Sequence, residues 1–133
     1  MVVAIDKAGK NIKTEDALNH IYGFAVGLSM TRWGPEKDTA EKMFPWSVGK
    51  GFDFSDGFDF SAPVSPITAK SHLGGIFDAE FYLKVNGVDQ KRTRASNLFL
   101  NCAEIIKNLS QAWELQPGDL IFTGSGGNTK DTN

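Results

Sequence analysis

The chain of 133 residues has one cysteine, Cys102, so no disulfide can form within it. A reducing, cytoplasmic compartment is the expectation. It also lacks any apolar run of about 20 residues, which excludes a helical membrane span. Neither sign of charge dominates, since 14 Lys and Arg face 16 Asp and Glu for a formal net charge of -2. Without a basic footprint, nucleic acid is not an expected partner. The opening Met1 to Asp6 has no basic lead and is too short for a signal peptide. Histidines number two, His20 and His72, and both are expected on the surface or in loops. What is present is ordinary for a soluble globular protein: 41% hydrophobic and 23% charged residues, enough for one domain around one core.

Hydrophobic spacing sketches the elements. Val2 to Ile5 is a short apolar run that the turn Asp6-Lys-Ala-Gly-Lys10 folds back as a hairpin. Thr14 is placed to cap a short helix over residues 15 to 19. Ile21 to Leu28 reads as a buried strand, weakened by Gly23 and Gly27. Glu36 to Phe44 fits one or two helical turns. Phe81 to Val85 runs into Asn86-Gly87, a strong hairpin signal. A helix is predicted from Ser96 or Asn97, with Leu98, Cys102, Ile105, Ile106, Leu109 and Trp113 on one stripe and Pro117-Gly118 ending it. Cys102 is then a packing residue rather than a nucleophile. Pro117-Gly118-Asp119 launches a strand from Leu120 to Phe122, followed by the hydroxyl pair Thr123 and Ser125. Hairpins plus one good helix predict an α+β domain, mostly β.

Gly51-Phe-Asp-Phe-Ser-Asp56 is followed at once by Gly57-Phe-Asp-Phe-Ser-Ala62. A surface-loop insertion is the simplest reading of this tandem repeat. Six residues preserve strand facing, because side chains alternate with a period of two. Its aspartates lack the spacing and closing glutamate of a calcium loop. The run from Gly124 to Gly127 is not a phosphate loop either, since no suitably spaced lysine or helix follows.

Gly49-Lys50, Val85-Asn86-Gly87 and Leu115-Gln-Pro-Gly-Asp-Leu-Ile-Phe-Thr-Gly-Ser125, taken in that order, carry a resemblance. From Val2 to about Ser125 the chain resembles the catalytic domain of the fumarylacetoacetate hydrolase family, in particular the fumarylpyruvate and acylpyruvate hydrolases. The resemblance implies a mixed β-sandwich roll that forms dimers. It implies hydrolysis of a carbon–carbon bond in a 1,3-diketo acid, assisted by magnesium or manganese as a Lewis acid. Lys50, which stands 21 residues after Ser29, matches the family lysine and is the expected catalytic residue. Arg32, Lys50 and Ser125 are the expected substrate-binding set. Residues 126–133 do not resemble the family and are set apart as a tail.

The same resemblance implies a defect in the metal site. The pattern Ser29-Met-Thr-Arg-Trp-Gly-Pro-Glu36 has serine where the family has a metal-binding aspartate. The family's Glu-x-Glu pair falls ahead of Met1, and so does the lid that carries its histidine base. A hydroxyl does not replace a carboxylate for a hard dication. The expectation is therefore an incomplete family domain with weak or absent magnesium or manganese and impaired C–C hydrolysis. The alternative is a non-catalytic remnant that pairs with a full-length paralogue. A homodimer or such a heterodimer is expected, with a small diketo acid as the ligand. Val2 to Ile5 and Leu120 to Phe122 are the strands expected to present unpaired edges.

Overall fold

The computed structural model describes residues 1–32, 34, 41–43, 47–51 and 62–124. It divides into two compact units, Met1–Ala25 with Pro66–Asn133, and Val26–Ser65. The architecture is mixed α+β with strands in the majority, as expected from the sequence. Among the described residues no helix is long and apolar enough to cross a membrane.

The larger unit is built on a four-stranded sheet in the order β3-β2-β1-β6. Strand β1 (Val2–Ile5) is fully buried because it lies between two antiparallel partners, β2 (Ile21–Ala25) and β6 (Leu120–Phe122). This corrects the expectation that β1 is an edge. β6 does end the sheet, and its Leu120 and Phe122 are exposed while Ile121 points into the core. β3 (Thr68–Ala69) closes the other edge against β2.

β2 stops at Ala25, three residues short of the predicted strand, and Gly27 makes only an isolated bridge to Val64. Gly23 does not weaken β2. A Cβ there would stand 2.2 Å from the Thr68 carbonyl oxygen, so the missing side chain is what lets β3 approach.

The core lies between this sheet and the helix α2 (Cys102–Ala112), with α1 being the short turn Ser47–Lys50 of the other unit. Val3, Phe24 and Ile121 from the sheet cluster with Cys102 and Ile106 from the helix. Cys102 is 2% exposed, in keeping with a packing role. The helix starts later than its apolar stripe implied. Ala95–Asn97 forms a separate 3-10 turn, leaving Leu98 outside α2. The reason is a capping box at Asn101. Its side chain accepts from the Glu104 N–H at 3.0 Å, and the Glu104 carboxylate accepts from the Asn101 N–H at 2.8 Å. The helix also ends early, at Ala112, with Trp113 an exposed C-cap rather than part of the stripe.

The chain after β1 does return antiparallel, as β2, but through a connection of residues 6 to 20 rather than a turn at 6 to 10. Gly9 instead bridges Leu115, with two backbone bonds of 3.0 and 2.9 Å. The following loop is pinned to α2, since the buried Ser110 hydroxyl accepts from the Ile12 N–H at 2.9 Å and donates to the Lys107 carbonyl at 2.9 Å. The predicted helix at 15 to 19 is a 3-10 turn, Ala17–His20, without a side-chain cap from Thr14 or Asp16. His20 is buried there, not on the surface, and its Nδ1 lies 2.8 Å from the Lys7 carbonyl oxygen. His72 is exposed as expected.

The hairpin β4 (Glu80–Val85) to β5 (Val88–Arg94) turns on Asn86 and Gly87, both at positive φ, as the twist of the flanking strands requires. Arg92 joins its two strands, donating to Glu80 at 2.6 Å and to Asp89 at 2.7 Å. The hydrogen bond from Arg92 holds the Asp89 carboxyl below the usual carboxylate range.

In the smaller unit the chain is closed at its base by an antiparallel pairing. The Leu28 N–H donates to the Pro63 carbonyl at 3.0 Å, and the Ser65 N–H donates to that of Val26 at 2.8 Å. Helix residues 41–42 fall within the span predicted helical; the remainder of Glu36 to Phe44, and residues 52–61 of the tandem repeat, lie outside the described residues.

Candidate active site

The candidate site is assembled where the segment after β2 meets α1, inside the smaller unit. Two contacts fix it. The Arg32 N–H donates to the Gly49 carbonyl at 2.9 Å. The Lys50 ammonium donates to the Thr31 hydroxyl at 2.5 Å across a separation of 19 residues. One bond ties the backbones together and the next ties the side chains. Gly49 is buried and Lys50 half-buried, so the lysine is not the freely solvated charge that a loop position would make it.

The backbone of Arg32 is therefore set beside that of Gly49, with the Arg32 side chain exposed and the exposed Ser29 two residues ahead of the half-buried Thr31. Ser125, Trp33 and Glu36 lie outside the described residues. Thr123, near Ser125, is described. There the hydroxyl donates to the Met1 carbonyl at 3.1 Å, so it serves to close the end of the β1–β6 pairing. Thr31 is the residue the sequence reading passed over. The available signal was a hydroxyl immediately before an arginine of interest, but only folding shows that it meets Lys50.

The half-buried Lys50 ammonium and the Thr31 hydroxyl beside it suit an anionic, oxygen-rich ligand. They do not by themselves suit a hard dication, which takes about six or more oxygen ligands, carboxylates prominent among them. Among the described residues no group of three or more His, Cys, Asp or Glu side chains is placed to hold a metal ion. Ser29 offers only a neutral hydroxyl.

The domain described as fumarylacetoacetate (FAA) hydrolase C-terminal matches residues 1–133. The chain belongs to the fumarylacetoacetate hydrolase family. A fumarylpyruvate hydrolase of Ralstonia sp is 34% identical over 125 residues, covering 94% of this chain and 62% of that protein. The mitochondrial oxaloacetate tautomerase of Caenorhabditis elegans is 30% identical over 123 residues, or 92% of this chain and 55% of that one. Among solved structures, the fumarylpyruvate hydrolase of Pseudomonas aeruginosa in complex with Mn2+ and pyruvate is 40% identical. It has a TM-score of 0.84 and covers 93% of this chain and 51% of that one. The chain thus spans about half the length of the curated relatives it matches. Family members near it include both a hydrolase and a tautomerase, so membership alone does not choose the reaction.

Proposed function

We propose that this chain is part of an acylpyruvate hydrolase of the fumarylpyruvate type, and that it binds the 2-oxo-carboxylate end of the substrate through Lys50 and Arg32. Fumarylpyruvate, oxaloacetate and pyruvate, named with its relatives, all carry that 2-oxo-carboxylate end. The observation that carries the reading is the half-buried Lys50 ammonium, held by Thr31 at the position where the family resemblance puts a catalytic lysine. Partial burial weakens solvent screening and strengthens its pull on a carboxylate or an enolate oxygen.

The reaction proposed is hydrolysis of the carbon–carbon bond beside a 1,3-diketone. Magnesium or manganese would supply Lewis-acid chemistry in a complete family site, but the described donors do not form that site. Cleavage by this chain is therefore proposed to be impaired. Serine at position 29 also favours a second reading, in which the chain is a non-catalytic member that pairs with a full-length paralogue.

Calorimetric titration of the full chain with sodium pyruvate tests the binding claim. A lost hydrogen bond to a charged group costs about 1.5–3 kcal/mol, so Lys50→Met should weaken binding roughly 10- to 100-fold. Equal affinities for wild type and variant would remove Lys50 from the site. Turnover of fumarylpyruvate with Mn2+, followed by absorbance, tests the chemistry. Slow or absent turnover is expected, and Ser29→Asp alone should not restore tight magnesium binding. Brisk turnover by the unaltered chain would contradict the impairment and the non-catalytic reading together.

A further inference from the structure

We infer that Thr31 is the positioning residue for Lys50, fixing the direction of its ammonium in the proposed 2-oxo-acid site. The inference rests on the functional reading above but has a test of its own. A lysine side chain has four rotatable carbons and loses much rotamer freedom when it is held in one place. Something must hold it, and the geometry supplies two restraints. The Arg32–Gly49 backbone bond of 2.9 Å sets the two segments side by side. One residue back from Arg32 and one on from Gly49, the Thr31 hydroxyl accepts from the Lys50 ammonium at 2.5 Å.

The choice of residue matters chemically. A hydroxyl accepts from the ammonium without neutralising it, whereas a carboxylate in its place would form an ion pair and compete with an anionic ligand. Having accepted, the hydroxyl still has its own proton to donate. Threonine is also β-branched, so its side chain is stiff about the first torsion and holds the oxygen in place. Lys50 is thus aimed by a neutral partner and keeps its charge for the ligand.

The test compares wild type, Thr31→Val and Thr31→Ser as full chains. Brief treatment with a limiting amine-acetylating reagent, read by mass spectrometry, gives the acetylation rate of Lys50 relative to exposed Lys107 in the same molecule. Pyruvate affinity is measured in parallel. Loss of the hydrogen bond should raise relative acetylation of Lys50 by about fivefold or more and weaken pyruvate binding about tenfold in Thr31→Val. Thr31→Ser keeps the hydroxyl and should stay within about twofold of wild type on both measures. Unchanged Lys50 acetylation in Thr31→Val overturns the inference. So does faster acetylation with wild-type pyruvate affinity, provided that Lys50→Met has lost affinity. If Lys50→Met itself binds pyruvate normally, the functional reading falls, and acetylation alone then decides whether Thr31 holds the lysine.

Discussion

Replacing Gly23 by alanine should loosen the edge of the main sheet, although alanine is the smallest side chain available and Gly23 is not at a positive φ. The added Cβ would stand 2.2 Å from the Thr68 carbonyl oxygen, 2.8 Å from its carbonyl carbon and 2.9 Å from Ala69 Cα. All three are backbone atoms, so no rotamer change relieves the clash. Normal packing distances near 3.5–4 Å require β3 to retreat by about 1 Å. β3 pairs with β2 at only two positions, Gly23↔Ala69 and Phe24↔Thr68. Retreat therefore sacrifices most of that pairing, at about 1 kcal/mol for each hydrogen bond lost. Against this, Gly→Ala restricts the unfolded chain and returns about 0.4–1 kcal/mol. The net expectation is a destabilisation of about 1–2 kcal/mol, within the usual range for overpacking. Urea denaturation of the full chain measures it, with Gly74→Ala as the control. A Cβ on Gly74 meets nothing within 4 Å, and its backbone is not at positive φ. A Gly23→Ala midpoint equal to or above that of the control would refute the close-approach argument.

Two further outcomes follow from the helix. Asn101→Ala removes one half of the capping box and should cost about 0.5–2 kcal/mol in urea denaturation, whereas Asn101→Ser or Asn101→Asp should recover most of it. Burial raises the Cys102 thiol above its ordinary value of 9.0. The unfolded state then gives up this proton first, so the thiol's contribution to stability is intact below about pH 9 and declines as pH rises through the folded-state value. A thiol-specific chromogenic reagent should accordingly react slowly with the folded chain at pH 8 and at once in denaturant; fast labelling of the folded chain would place Cys102 at the surface.

Local features whose causes lie within a few residues were legible in the chain alone. Asn86-Gly87 adopts positive φ because the turn demands it, and Leu120 to Phe122 is a strand because its apolar run follows a turn. Family membership was legible too, carried by Gly49-Lys50 and the Pro117–Ser125 segment in order. Apolar spacing misjudged both ends of the helix, because the stripe continues through Leu98 and Trp113 while the capping box starts the helix at Cys102. The long-range pairings emerged from folding. It put β1 in the middle of the sheet, turned Gly9 against Leu115, and buried His20 beside Lys7. It also brought the Thr31 hydroxyl to Lys50 across 19 residues. Periodicity reports which side of an element is apolar, but not which distant segment covers it. That partner is selected by backbone hydrogen bonding and close packing once the chain has collapsed.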